Sequence, residues 1–240
     1  MRQADPRTEI ALLARSLYRQ GYCDQLAGHI TYKLPDGTLL VNPWELAWDE
    51  LAGPDILRID LDGNKLEGRG TVPGGIPLHL ELHRSRTNFT IAVHNHSRWG
   101  TVWCDLRRIP PVYDQTGAFV DGDVAFFDEF EQVGDHDSAA KAVAAFGNSK
   151  VGLLANHGVL VVADSFPQAY VRAVTLEWRC RQAWIVESAG GAKQLPAASV
   201  DLIGGGVDGA VEYPNMMWEA AARREMRLDP ATFGAGQSAR

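Results

Sequence analysis

The sequence is short of cysteine, with three in 240 residues. Cys23, Cys104 and Cys180 lie far apart and are odd in number, which excludes a disulfide framework and a zinc-knuckle spacing. No apolar run approaches the ~20 residues a membrane span requires. The opening MRQADPRTEI lacks the apolar core of a signal peptide, so a reduced, cytoplasmic protein with no membrane partner is expected. Basic runs are missing as well. Lys and Arg number 23 against 30 Asp and Glu, a formal net charge of −7 that argues against nucleic acid as a partner. Repeats and low-complexity linkers are also absent, which points to one domain over 1–240 with a looser C-terminal extension from about 195. What is present is 45% hydrophobic and 22% charged residues, enough to bury a core and too apolar for disorder. Seven histidines are present, and three have a patterned setting.

Apolar spacing predicts a helix over 6–20, where Ile10, Leu13 and Leu17 recur before Gly21. GHITYKLPDGTLLVNP (28–43) reads as two strands around the turn Pro35-Asp36-Gly37, and 55–60 as another strand ending at Asp62-Gly63-Asn64. Residues 77–86 are predicted helical, with Pro77 in the first turn. IAVHNH (91–96) reads as an apolar strand with a polar end, and SRWGTVWC as a helix capped by Ser97. The acidic stretch 121–137 reads as a solvated loop whose spacing fits no calcium loop. A helix over 137–146 follows, then two buried strands meeting at Asn156-His157-Gly158, then a long helix capped by Ser165 and stopped at Gly190-Gly191. Glycine-rich LIGGGVDGAVEYP reads as loose chain before a last helix in MMWEAAARREMRL. The class is mixed α and β.

His94 and His96 stand at i and i+2, which on a strand point to one face, so both imidazoles can converge at the strand end. His157 sits in the turn between two buried strands. If those strands share a sheet with IAVHNH, it completes a three-nitrogen site with an open position, the catalytic type of divalent metal centre. Imidazole alone leaves Zn, Mn, Fe and Co open. The spacing by itself also fits a plainer reading, since His-x-His pairs are common and a His after a strand is usually a turn residue.

VHNHS (93–97) followed by NHGVLVVADSFPQAY (156–170) resembles the class II aldolase/adducin family. GHIT (28–31), LVNPWELAWDEL (40–51), DILRIDLDGNKLEG (55–68), PLHLELHRSR (77–86), DVAFFDEF (123–130) and the terminal MMWEAAARREM agree, so the likeness runs from about residue 7 to 230. It implies a three-layer α/β/α fold around a central, mostly antiparallel sheet. It implies His94, His96 and His157 as ligands to one divalent metal ion per subunit. It also implies a homotetramer with active sites between subunits.

The sequence departs from the family's sugar-phosphate enzymes in one subsite. Those enzymes carry Ser-Ser-Glu before the Pro-x-His helix, where this chain has Pro73-Gly74-Gly75. Gly75 takes the place of the proton-shuttling glutamate, and glycine carries no proton. The Gly-Asn pair of the phosphate site is Gly28-His29, and the Ser-Gly pair is Trp44-Glu45. Together these changes argue for a substrate without phosphate, and the aromatic residues Trp44, Trp48, Trp99, Trp103 and Tyr113 suit a flat one. Family members that decarboxylate hydroxylated aromatic acids such as 3,4-dihydroxyphthalate match this pattern, because decarboxylation needs no base to start.

The implied function is a metal-dependent carbon–carbon lyase acting on a small aromatic carboxylate. Three other readings stand beside it: an aldolase or epimerase using Glu45 or Glu67, an iron-dependent oxygenase, and a non-catalytic scaffold. The proton donor is sought among His79, His29, Tyr113 and a metal-bound water. Substrate contacts are sought at Gly28, Trp44, Gly74, Gly75 and Arg98, with Arg69 and Arg86 weaker. Asn95 is expected to face away, and His83 and His136 to be surface or helix residues.

Overall fold

The alternation of side chains along one strand, Ile91–Asn95 (β5), sorts the molecule into layers. In the computed structural model, which describes residues 5–120, 124–129, 135–209 and 212–233, Ile91 and Val93 point into one core and Ala92 into another. β5 lies inside an eight-stranded sheet. Its neighbours on one side are His29–Lys33 (β1), Leu39–Val41 (β2), Leu57–Ile59 (β3) and Lys65–Glu67 (β4). On the other side lie Gly158–Ala163 (β8), Val151–Leu154 (β7) and Val124–Phe127 (β6). Every pairing is antiparallel except that of β6 with β7.

One face of the sheet carries the helices Pro6–Tyr18 (α1), Arg98–Asp105 (α3), Phe166–Ser188 (α5) and Glu212–Leu228 (α7). Leu13, Leu17, Val93, Val161, Leu176 and Ala222 share its core. The other face carries Ile76–Ser85 (α2) and His136–Phe146 (α4), with Leu78, Leu82, Ala92, Phe146 and Leu160 in contact. This is the expected three-layer α/β/α arrangement on a mostly antiparallel sheet. No helix among the described residues is long and apolar enough to cross a membrane.

Local expectations differ from the structure in three places. Val124–Phe127, inside the acidic stretch expected to be loop, is an edge strand, because its four apolar residues pair along β7, while Asp128 and Glu129 lie beyond its end and 121–123 and 130–134 lie outside the described residues. Ser97 holds the N-cap position of α3 but its side chain makes no capping bond. The carboxylate of Glu177 on α5 accepts from Trp99 N (2.7 Å) and Gly100 N (3.0 Å) in its place. The glycine-rich tail is helical over Ala197–Gly209 (α6), which packs on the turn Gly117–Phe119, so tertiary contact overrides low propensity. His83, expected at the surface or on a helix, is on helix α2 as expected, and its ring is buried against Phe89 with centroids 4.7 Å apart.

Candidate metal centre

β5 delivers His94 at its end, and His96 follows one residue beyond it. His157 comes from the turn between β7 and β8, where Asn156 takes a left-handed conformation (φ 54°) that asparagine tolerates. One ring nitrogen from each of the three histidines lies within 4.8 Å of the others. Ring centroids are 4.9 Å apart for His94–His157 and for His96–His157, and 5.5 Å for His94–His96.

The protein has set the ring nitrogens for coordination. His94 Nδ1 is 2.9 Å from the Val159 carbonyl. A carbonyl only accepts, so Nδ1 carries the hydrogen and Nε2 keeps its lone pair. His96 Nδ1 is 2.7 Å from Asp24 Oδ2, which orients that ring in the same way. Burial pushes His94 well below the ordinary histidine range, helped by the neighbouring imidazoles His157, His29, His96 and His79. Burial, and then His96, lowers His157 to about 4. Neutral imidazole is the form that binds metal, so this donor set fits a divalent ion. Replacing Asp24 with alanine removes the partner that aims His96. Metal affinity is then expected to fall ~10–100-fold, as outer-shell losses do, in a calorimetric titration of the metal-free protein.

A cleft of about 320 Å³ opens beside the three histidines. The rest of its lining is Leu26, Ala27, Gly28, His29, Trp44 and Gly74-Gly75, with no carboxylate and no cationic side chain among the described residues. The structure therefore brings Gly28, His29, Trp44, Gly74 and Gly75 together with His94, His96 and His157. Trp44 is 49% exposed at this cleft, whereas Trp48 and Trp103 are core residues. Arg98 lines a neighbouring cleft that shares His96 and contains Asp24 and Thr101. Tyr113 packs against the core and lines neither cleft.

His79 is fully buried behind His29, with the two rings edge to face at 5.5 Å. Its Nδ1 is 2.8 Å from Thr31 Oγ1, which also lies 2.9 Å from His83 Nε2. The Thr31 hydroxyl has one hydrogen, so it donates to at most one of the two imidazoles and accepts from at least the other. Asn95 faces away as expected, donating to the Ala27 carbonyl at 2.9 Å. Glu45 accepts from Thr71 N, and Glu67 pairs with Arg7 and Arg58, so neither carboxylate reaches the cleft. Arg86 donates to the carbonyls of Ser149 and Asn148, and Arg69 is exposed.

Sequence reasoning missed Asp24 and Thr31. Asp24 belongs to no quoted segment, Thr31 closes GHIT but carried no role there, and each partner lies 48 or more residues away.

Buried neutral histidines also set an acid limit. Burial, and then Lys33, lowers His83 to about 3, while burial with His29 and His83 holds His79 well below its ordinary value. The unfolded chain takes up these protons below pH ~6.5 and the folded protein does not, so stability is full above that pH and falls beneath it. The metal-free protein is expected to lose stability as pH falls below ~6.5, by on the order of 1 kcal/mol per pH unit from His83 down to its value of about 3 and by more with His79, measured by urea unfolding.

Residues 8–184 match the family described as the Class II Aldolase and Adducin N-terminal domain. The chain belongs to this family. A 3,4-dihydroxyphthalate decarboxylase from Arthrobacter keyseri is 34% identical over 208 residues, covering 80% of this chain and 84% of that protein. A second 3,4-dihydroxyphthalate decarboxylase, from Terrabacter sp., is 31% identical over 211 residues, covering 81% and 87%. The L-fuculose 1-phosphate aldolase from Glaciozyma antarctica PI12 superposes with a TM-score of 0.82 over 95% of this chain and 90% of that one. Its identity is 19%, so that likeness is one of fold. These class II aldolase relatives are lyases, which supports an enzyme of the same superfamily.

Proposed function

We propose that this member of the class II aldolase family is a divalent-metal-dependent decarboxylase of hydroxylated aromatic carboxylates of the 3,4-dihydroxyphthalate kind. One observation carries the reading. Among the described residues, the cleft beside a metal-ready histidine trio presents no carboxylate side chain to act as a base and no cationic side chain to hold phosphate. An aldol cleavage or epimerisation must move a proton at the start, whereas a carboxylate substrate is already ionised. In decarboxylation the carbon–carbon bond breaks, its electron pair stays on the ring carbon, CO₂ leaves and a proton takes its place. When bound, a divalent ion supplies the Lewis-acid charge that draws off this electron density. The indole of Trp44 offers a face for stacking the substrate ring, and Gly74-Gly75 add bare backbone to the same wall. His29 and Trp44 are the lining side chains, apart from the three ligands, with a hydrogen-bonding atom. Arg98 lies outside that cleft, in the neighbouring one that shares His96, and in this reading it pairs with a second carboxylate of the substrate.

The same reading carries a homotetramer. Trp178 and Ile185, seven residues apart on one face of α5, are both exposed, as apolar residues at contacts between subunits are before assembly.

The test is CO₂ release from 3,4-dihydroxyphthalate and related ortho-hydroxy aromatic acids, with protein loaded in turn with Mn²⁺, Zn²⁺, Fe²⁺ and Co²⁺. Release that depends on metal is expected. Silence across the panel with metal-loaded protein overturns the proposal, and substrate-dependent oxygen uptake would replace it with oxygenase chemistry.

A further inference from the structure

Two consecutive glycines in the wall of the cleft each hold an aromatic ring against backbone. A Cβ added at Gly74 would lie 3.3 Å from two atoms of the Trp44 ring. At Gly75 it would lie inside the imidazole of His29, 2.3 Å from Cε1, 2.9 Å from Nε2 and 3.3 Å from Nδ1. Contacts under 3.0 Å are essentially never made by real Cβ atoms. The group in the way is a packed ring and not the loose end of a flexible chain.

The ring of His29 has little freedom to retreat. It starts on β1, directly opposite His94 in the ladder. It stacks on the His94 ring at 5.5 Å with an interplanar angle of 29°. His79 stands edge-on behind it and is itself tied to Thr31. Nδ1 of His29 is buried without a partner, so Nε2 is the polar edge left towards the cleft.

We propose that His29 and Gly75 form one specificity device. The imidazole stands where a side chain at position 75 would enter the cleft, and so closes the route from the start of α2 to the metal centre. What remains is a slot walled by the Trp44 and His29 rings and by bare glycine backbone, suited to a planar ring and closed to a flexible phosphorylated polyol. Choosing an aromatic acid as the ligand rests on the decarboxylase reading, whereas the steric coupling of the two positions does not.

Four proteins test this: wild type, Gly75→Ala, His29→Ala and the double variant. Thermal midpoints of the metal-free proteins report the coupling. Gly75→Ala is expected to lower the midpoint when residue 29 is His and to leave it unchanged when residue 29 is Ala. Equal effects in both backgrounds overturn the coupling. Calorimetry on Mn²⁺-loaded protein, with 3,4-dihydroxybenzoate and glycerol phosphate as probes, reports the specificity. His29→Ala is expected to reduce the preference for the planar acid about tenfold. An unchanged preference, with the coupling intact, makes the pair a packing feature and overturns its role in selection. If no variant binds the planar acid, the decarboxylase reading fails. The pair is then judged on glycerol phosphate alone, which wild type must exclude and His29→Ala admit.

Discussion

Substitution of His94 by alanine is expected to remove tight metal binding and catalysis together. His94 is 1% exposed, its Nδ1 is held by the Val159 carbonyl, and its ring contacts both His157 and His29. Without it, two nitrogens remain of a three-nitrogen centre. Metal affinity should fall by more than the ~10–100-fold that loss of an outer-shell partner costs. The metal-free fold should persist, because the buried imidazole contributes little to it. Its charged form is disfavoured by burial and by four neighbouring rings, so its removal relieves the protein most in acid. The decisive measurement is the thermal midpoint with and without metal. Binding to the folded state alone raises the midpoint by mass action. Wild type should show that rise and His94→Ala should not, while their metal-free midpoints stay close. A variant that still gains stability from metal would mean that the ion sits elsewhere. A scaffold without metal would show no rise in either protein.

The features legible in the sequence were those written as local periods. His94 and His96 share a face because strand side chains repeat every two residues, and the register of β5 with β8 then places Val159 against Asn95, beside the turn that carries His157. Gly74 and Gly75 were legible as missing side chains, and Trp44 as a large residue in a subsite that elsewhere takes small ones. What fills the vacated space was not legible, because His29 reaches Gly75 only after β1 has paired with β5 and α2 has packed on the sheet. Distance in sequence hid the supporting residues in the same way. Asp24 orients His96 across 72 residues, and Glu177 caps α3 across 78. Charge misled at Val124–Phe127, where acidic flanks concealed a four-residue apolar strand. At the candidate metal centre the motif names the three histidines, while tertiary packing decides the tautomer of His94, the neutrality of His94 and His157, and the shape of the space they face.

Gly158→Ala should damage the centre without touching a ligand. The added methyl carbon would lie 2.6 Å from the Asn95 carbonyl oxygen and 2.8 Å from Cδ2 of His96. Neither neighbour yields easily. Asn95 is paired with Val159 in the β5–β8 ladder, and Val159 also accepts from His94. Moving β8 away from β5 would therefore disturb two ligands at once, and moving the His96 ring would break its aim from Asp24. The expected cost is ~1–3 kcal/mol of stability, as for other overpacked sites. A further ~10–100-fold loss of metal affinity should follow, because the ligand geometry is spoiled as it is when an outer-shell partner is lost. Gly205→Ala supplies the control. It makes the same chemical change in helix α6, where an added Cβ meets nothing within 4 Å. That substitution should stabilise by ~0.4–1 kcal/mol through lost freedom of the unfolded chain. Urea unfolding and metal titration of both variants separate the two causes. Opposite signs in stability, with metal affinity lost only in Gly158→Ala, identify close approach of His96 as the reason for glycine after His157. A Gly158→Ala protein with wild-type affinity would show that the turn, and not the space beside His96, is what the glycine serves.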